Sequence, residues 1–316
     1  MKAALVTGPG RSPVYADFQA PEPKAGELLI TVSAAALSHV TRSRASGAHY
    51  SSDGRFPFIA GIDGVGRLED GRRVYFVLPD APYGAMAERV AIPAARCVAV
   101  PDGLDDVTAA ALANPGLSSW AAFIERARLK PGETVLVNGA TGASGRLAVQ
   151  IAKHLGAAKV IATGRNPAAL AELADLGADA IIPLTEDASV YGPHFAAGID
   201  VVIDYLWGKS AEALLIAAAK AAPEARPIRF VQIGSVSGAD ISLPSAVLRS
   251  SAIELMGSGI GSIPLERLIA CVGDLLQAAV PANLKIATAA VPLSDLEQAW
   301  ALDDSARRTV FVIGVE

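Results

Sequence analysis

Two rhythms of apolar and polar positions divide the chain. Through about residue 114, short β-type runs such as Leu28-Leu29-Ile30-Thr31-Val32, Arg73-Val74-Tyr75-Phe76-Val77 and Arg89-Val90-Ala91-Ile92 alternate with Pro and Gly breaks. That texture predicts a mainly β region. From about residue 116 the rhythm becomes strand, helix, strand, helix. Apolar runs at Thr134–Val137, Lys159–Thr163, Ala180–Ile182, Asp200–Asp204, Arg229–Ile233 and Ile253–Met256 read as strands, with alanine-rich helical segments between them. Such alternation predicts an α/β fold, a doubly wound parallel sheet covered by helices on both faces. A helix over Leu265–Ala279 and a last strand over Thr309–Val315 return to the first region. The expected domains are 1–115, 116–262 and the returning segment 263–316.

Composition narrows the class. A chain of 316 residues is long enough for two domains. No apolar run reaches the roughly 18 to 20 residues of a membrane helix, although 52% of the residues are hydrophobic. The first residues, Met1-Lys2-Ala3-Ala4-Leu5-Val6, lack the layout of a signal peptide. Only Cys97 and Cys271 are present, so a disulfide framework and a four-cysteine metal loop are both excluded. The net charge of −5, with acids and bases interspersed, argues against a nucleic-acid surface. A cytoplasmic protein with neither a membrane nor a nucleic-acid partner is expected.

The chemistry concentrates between Glu133 and Asn166. Val135-Leu136-Val137 runs into Asn138-Gly139-Ala140-Thr141-Gly142-Ala143-Ser144-Gly145. The next segment places Leu147, Ile151 and Leu155 on one helical stripe that Gly156 stops. Small residues at 140, 142 and 145 let the backbone turn tightly, let a pyrophosphate approach, and let helix pack on strand. The N–H groups at the helix start, at the positive end of its dipole, then hold phosphate oxygens. Gly-rich turns also serve ordinary strand–helix connections. The flanking elements and their spacing decide for a dinucleotide, held by Ala140, Thr141, Gly142, Ala143, Ser144 and Gly145, with Gly234 and Ser235 after the fifth strand.

The second strand selects the dinucleotide. An NAD-binding unit places an Asp or Glu about 20 residues past the glycines, where it accepts from the adenosine ribose hydroxyls. At that distance from Gly145 stand Gly164, Arg165 and Asn166. Loss of the carboxylate removes its repulsion of a 2′-phosphate, and the guanidinium supplies a planar, charge-assisted donor for it. The cofactor expected is NADPH, with Gly164, Arg165 and Asn166 at its adenosine end.

By these residues the chain resembles the medium-chain dehydrogenase/reductase superfamily, and within it the zinc-free quinone oxidoreductases related to zeta-crystallin. The resemblance runs nearly end to end. It is carried by "PEPKAGELLITVSAAAL" (Pro21–Leu37), the Pro-x-x-x-Gly-x-Asp-x-x-Gly signature in "FPFIAGIDGVG" (Phe56–Gly66), and the stretches Gly84–Phe123 and Leu129–Gly145. It implies a mainly β, chaperonin-10-like catalytic domain, a Rossmann domain, and an active site in the cleft between them.

The resemblance also speaks to zinc. Where the alcohol-dehydrogenase branch has a ligand Cys and a Gly-His-Glu motif, this chain reads Leu37-Ser38-His39 and Gly61-Ile62-Asp63. His39, His49, His154 and His194 show no metal-ligand spacing. A zinc-independent enzyme is expected. Without a Lewis acid, simple alcohol oxidation loses its usual alkoxide stabilisation, whereas hydride transfer to a quinone or an enone needs less help. Tyr50 is a candidate proton donor to the developing oxyanion, and an exposed loop tyrosine is an equal reading. Ser38 stands where relatives have Asn near the nicotinamide. Asn114-Pro115 resembles a pair seen in enoyl-thioester reductases, or caps the next segment. Asp63, Asp204, Asp105 and Asp106 read as turn and cap residues, and Tyr205-Leu206-Trp207 as a wall that narrows the cleft.

The expected function is NADPH-dependent reduction of quinones or α,β-unsaturated carbonyls. Two alternatives stay open, an enoyl-thioester reductase and a non-catalytic NADPH-binding protein. The apolar, Pro-free run Ile253–Met256 would lie at a sheet edge, which together with the resemblance predicts a homodimer.

Overall fold

The computed structural model describes residues 1–47, 55–302 and 307–314. His49 and Tyr50 lie outside them. The chain forms two compact units, Met1–Asn114 with Ile269–Glu316, and Pro115–Leu268.

The first unit is built on the ten-residue strand Glu27–Ala36. Its first half pairs with Arg89–Pro93, and its second half lies between Asp63–Arg67 and Arg308–Val312. Arg73–Val77 and Cys97–Ala99 extend the sheet on one side, and Thr288–Pro292 extends it on the other. A smaller antiparallel sheet joins Val14–Asp17, Lys2–Val6 and Phe58–Ile59. Between them lie Val6, Ile30, Val32, Phe76, Met86, Ile92 and Phe311, all buried. The last strand is shorter than its apolar run predicts. The chain leaves the sheet after Val312, and Gly314 has a φ of 79°.

In the second unit six parallel strands form one sheet. They are β1 (Thr134–Asn138), β2 (Lys159–Gly164), β3 (Ala180–Pro183), β4 (Val201–Asp204), β5 (Pro227–Gln232) and β6 (Ala252–Gly257). Their order is β3-β2-β1-β4-β5-β6. The helix α1 (Ala143–His154) connects β1 to β2, the short α2 (Pro167–Ala171) follows β2, and α3 (Gly208–Ala221) follows β4. Strand order reverses between β1 and β4, the topological switch point of a doubly wound sheet. Leu136, Ile161 and Val202, on three adjacent strands, are buried against Leu214, Leu215 and Phe195 from the covering helices. Such two-sided burial is what an uninterrupted apolar run provides for.

Two expectations need correction. Pro115 does not cap a new segment; it lies inside the helix Asp106–Ala121, where its carbonyl accepts the Ser118 hydroxyl at 2.7 Å. Asp63 is neither a turn nor a cap residue. It opens the strand Asp63–Arg67, is 1% exposed, and accepts the Tyr75 hydroxyl at 2.9 Å. The guanidinium of Arg308 lies in the same buried cluster; among the described residues its Nε and Nη2 lack a hydrogen-bond partner, as does the second Asp63 oxygen. Burial raises the Asp63 carboxyl from 3.8 to about 6, against the opposing pull of Arg308 and Tyr75.

A carboxyl raised in the folded state binds its proton more tightly there than in the unfolded chain. Its contribution is therefore complete below pH 3.8 and is lost as pH rises through about 6. The loss amounts to about 3 kcal/mol, because each tenfold change in proton affinity is worth about 1.36 kcal/mol. Urea unfolding of the wild type and Asp63→Asn at a series of pH values checks this. The wild type should lose stability relative to the variant between pH 4 and about 6, and parallel pH profiles would disprove it.

Candidate functional site

The carboxyl ends of β1, β2, β4 and β5 carry nearly every residue that the sequence assigns to a cofactor. The β1 strand ends in Asn138, which is fully buried. Its Nδ2 donates to Asp204 Oδ1 at 2.8 Å and to Ser210 Oγ at 3.0 Å, and its Oδ1 accepts from Thr163 Oγ1 at 2.7 Å. Thr163 Oγ1 in turn accepts the Gly139 N–H at 3.1 Å. Residues at the carboxyl ends of three neighbouring strands are thus tied together beneath the turn. Asp204 also accepts the N–H groups of Leu206 and Trp207, and its burial raises its carboxyl above the ordinary value. It holds the turn after β4, one of the roles the sequence suggests.

The motifs assign no role to Asn138, Thr163 or Ser210. A signal was present: each of three apolar strands carries a polar residue at or next to its end, in Val-Asn, Ala-Thr and Ile-Asp. Buried polar side chains of this kind are retained when each has a partner.

Above this network the turn divides its small residues between two physical tasks. An ideal Cβ on Gly145 would lie 2.4 Å from the Gly139 carbonyl oxygen and 2.5 Å from Ala140 Cα. Glycine there lets α1 press onto the turn. Gly142 is different. It is exposed, its φ of −79° suits any residue, and an ideal Cβ would meet nothing within 4 Å. Neither backbone strain nor packing explains a glycine at that position, whereas a ligand approaching the backbone does. Gly142 is also the N-cap of α1 and offers no side-chain acceptor, so among the described residues no side chain caps the first N–H groups of the helix, at Ala143, Ser144 and Gly145. Ala140 is buried, with its N–H on the Thr163 carbonyl at 2.8 Å; it shapes the turn and has no free donor. The turn fits a pyrophosphate.

At the end of β2, Gly164 is buried against the same turn. A Cβ there would fall 2.5 Å from Thr141 Cγ2, so an acid at 164 needs Thr141 to give way. Packing is therefore itself a reason for glycine there. Arg165 is exposed and has no hydrogen bond or ion pair among the described residues. Asn166 is the N-cap of α2, accepting from the Ala168 and Ala169 N–H groups at 3.0 and 3.3 Å. Its carbonyl oxygen is occupied in local structure.

The loops after β4 and β5 meet. Gly234 donates to the Asp204 carbonyl at 3.2 Å, and a Cβ on it would lie 2.6 Å from the Tyr205 carbonyl oxygen; Ser235 is exposed beside it. Leu206 covers Gly139, where a Cβ would come within 2.8 Å of it. Trp207 has a φ of 58°, a strained value for a bulky residue, and Asp204 holds it there. Tyr205 is not part of a wall. Its hydroxyl is buried on Ser119 Oγ at 2.7 Å, and burial pushes the phenol up to about 12.

In the first unit Ser38 is buried and N-caps the helix His39–Ala45. Its Oγ accepts the Thr41 N–H at 3.0 Å and lies 2.8 Å from Thr41 Oγ1. Among the described residues no three His, Cys, Asp or Glu side chains come together as metal ligands. Cys97 and Cys271 form no disulfide.

The family of zinc-binding dehydrogenases matches residues 143–277. The quinone oxidoreductase of Thermus thermophilus, solved with NADPH, superimposes with a TM-score of 0.80 at 30% identity, covering 99% of this chain and 100% of that one. The chain belongs to the quinone oxidoreductases of the medium-chain dehydrogenase/reductase superfamily. By sequence, it is 28% identical over 357 residues to the "Probable NADPH-dependent quinone reductase tdiC" of Emericella nidulans, spanning all of that protein and 99% of this one. It is also 33% identical over 186 residues to the 2-methylene-furan-3-one reductase of Solanum lycopersicum, of which it spans 47%.

Proposed function

We propose that the protein is an NADPH-dependent reductase that passes hydride to quinones or α,β-unsaturated carbonyl compounds. The observation that carries the reading is the pairing of Gly142, a glycine that the protein's own packing does not require, with Arg165, an unpartnered guanidinium where NAD-binding units carry an acid. The relatives named for quinone and furanone reduction support the substrate class. Nicotinamide, when bound, supplies the hydride. The chain's own part is to hold and orient. The Gly142–Gly145 backbone receives the pyrophosphate, the Asn138–Thr163–Asp204 network keeps that turn in place, and Arg165 takes the 2′-phosphate. Gly234 and Ser235 border the same end of the sheet. Ser38 and Tyr50 remain the proposed residues at the reacting end.

Zinc independence belongs to the proposal, supported by Ser38 and Ile62 at the positions where metal-binding relatives carry ligands. So does a cytoplasmic location, supported by two cysteines without a disulfide. The test is NADPH oxidation against a panel of quinones, enones and enoyl thioesters, each with and without a strong chelator. Turnover of quinones or enones that survives chelation is expected. Turnover confined to thioesters, or tight NADPH binding without any oxidation, would overturn the substrate class. Activity lost with the metal would overturn zinc independence.

Replacing Arg165 with Ala should weaken NADPH by about 1.5 to 3 kcal/mol, the scale of a charged hydrogen bond, and leave NADH affinity unchanged. Fluorescence titration with both cofactors checks it, and equal losses would show that Arg165 does not read the phosphate.

A homodimer is proposed as well. The β6 strand pairs only with β5 among the described residues, and Leu255 on it is exposed. Such an edge is a template for a second copy about a two-fold axis. Light scattering should give twice the 32.3 kDa chain mass; a mass equal to one chain at micromolar concentration would sink the dimer.

A further inference from the structure

Arg146 directly follows the glycine turn and has no role in the reading so far. Its Nε donates to the Thr141 carbonyl at 3.2 Å, and its Nη2 donates to Glu172 Oε2 at 2.6 Å. Thr141 presses its γ-methyl on Gly164, and Leu170 of α2 packs on the same glycine, with distances of 2.5 and 3.1 Å to an ideal Cβ. Glu172 is the C-cap of α2, the helix that begins just past Arg165 and Asn166. Arg146 of α1 is thus linked through Thr141 and Gly164 to the loop after β2 that carries Arg165.

We propose that Arg146 is a second, specificity-determining reader of the cofactor 2′-phosphate, held by Glu172 until that phosphate binds. The inference rests on the NADPH reading above. Three features support it. The side chains of Arg146 and Glu172 are 27% and 61% exposed, and an ion pair so open to water contributes little, so exchanging its carboxylate for a phosphate costs little. The phosphate carries nearly two charges and several acceptor oxygens, whereas Glu172 offers a single charge. The guanidinium is also prepared for the exchange. Its Nε is anchored to main chain, which fixes its plane, and Nη1 has no acceptor among the described residues. A planar fork with one side fastened and the other unspent suits bidentate contact with a phosphate. NADH lacks the group that would draw Arg146 from Glu172.

The test measures binding of NADPH, NADH and 2′,5′-ADP to the full chain by calorimetry, beside thermal unfolding of each variant. Arg146→Gln should weaken NADPH and 2′,5′-ADP roughly tenfold, the scale of one charge-assisted hydrogen bond, and leave NADH unchanged. Glu172→Gln removes the competing carboxylate and should tighten NADPH without affecting NADH. Equal losses for both dinucleotides in Arg146→Gln would mean that Arg146 only supports the Thr141 turn, and would overturn the proposal, as would unchanged NADPH affinity. If Arg146→Gln does not fold, Glu172→Gln decides: NADPH affinity that fails to rise rejects the second reader. Arg165→Ala, measured in parallel, separates the two readings. A selective loss of NADPH in Arg165→Ala with no such loss in Arg146→Gln defeats this inference alone, whereas equal wild-type affinity for NADPH and NADH defeats both.

Discussion

A Gly145→Val variant is expected to be destabilised by about 3 kcal/mol or more, the range of overpacking that cannot relax. Its Cβ would sit 2.4 Å from the Gly139 carbonyl oxygen and 2.5 Å from Ala140 Cα, both main-chain atoms of the turn. Relief requires α1 to move away from β1, and with it Leu147, Ala148 and Ile151, which are fully buried. The Gly139 N–H would lose its alignment on Thr163, leaving the strand-end network short of a donor. The urea midpoint against the wild type measures the effect. A variant that melts with the wild type would show that the turn yields, and that glycine at 145 is not a packing requirement.

The same substitution three residues earlier should give the opposite result. Gly142→Val meets nothing within 4 Å and keeps an extended backbone that valine favours, so stability should stay within about 0.5 kcal/mol. NADPH affinity, by contrast, should fall at least ~100-fold, near 2.7 kcal/mol, because the isopropyl group fills the space through which the pyrophosphate reaches the helix N–H groups. Titration of folded variant with NADPH reads this directly. Normal binding would mean the turn is not the phosphate cradle, and the functional reading would lose its main support. Together the two variants separate a glycine retained for the protein from a glycine retained for its ligand.

Asp63 illustrates how a motif residue can carry a structural load that its motif does not announce. In sequence it belongs to a family signature beside Gly61 and reads as a turn residue. In the fold it lies with Tyr75 from the neighbouring strand and Arg308 from the last strand, three residues far apart in the chain. The cluster links the carboxyl-terminal segment to the middle of the first unit, and its charge balance depends on pH.

Local chemistry made much of this protein legible from its sequence. Apolar runs of four to six residues separated by helical stripes can bury both faces only as a parallel sheet, so the strands of the second unit were readable to within a residue or two at most ends. Small residues between a strand and a helix, followed by Gly164 and Arg165, make a tight strand–helix turn and an acid-free second strand readable, because backbone approach and charge are properties of a few adjacent residues. Contacts between distant segments were decided only in three dimensions. The tie between Asn138, Thr163 and Asp204 depends on strand order, which adjacent residues do not encode. The inward turn of Tyr205 depends on Ser119, and the commitment of Ser38 to a helix cap on where that helix begins. The tertiary structure likewise separated Gly142 from Gly145, identical letters in one motif, because only packing shows which glycine has a neighbour where its side chain would be.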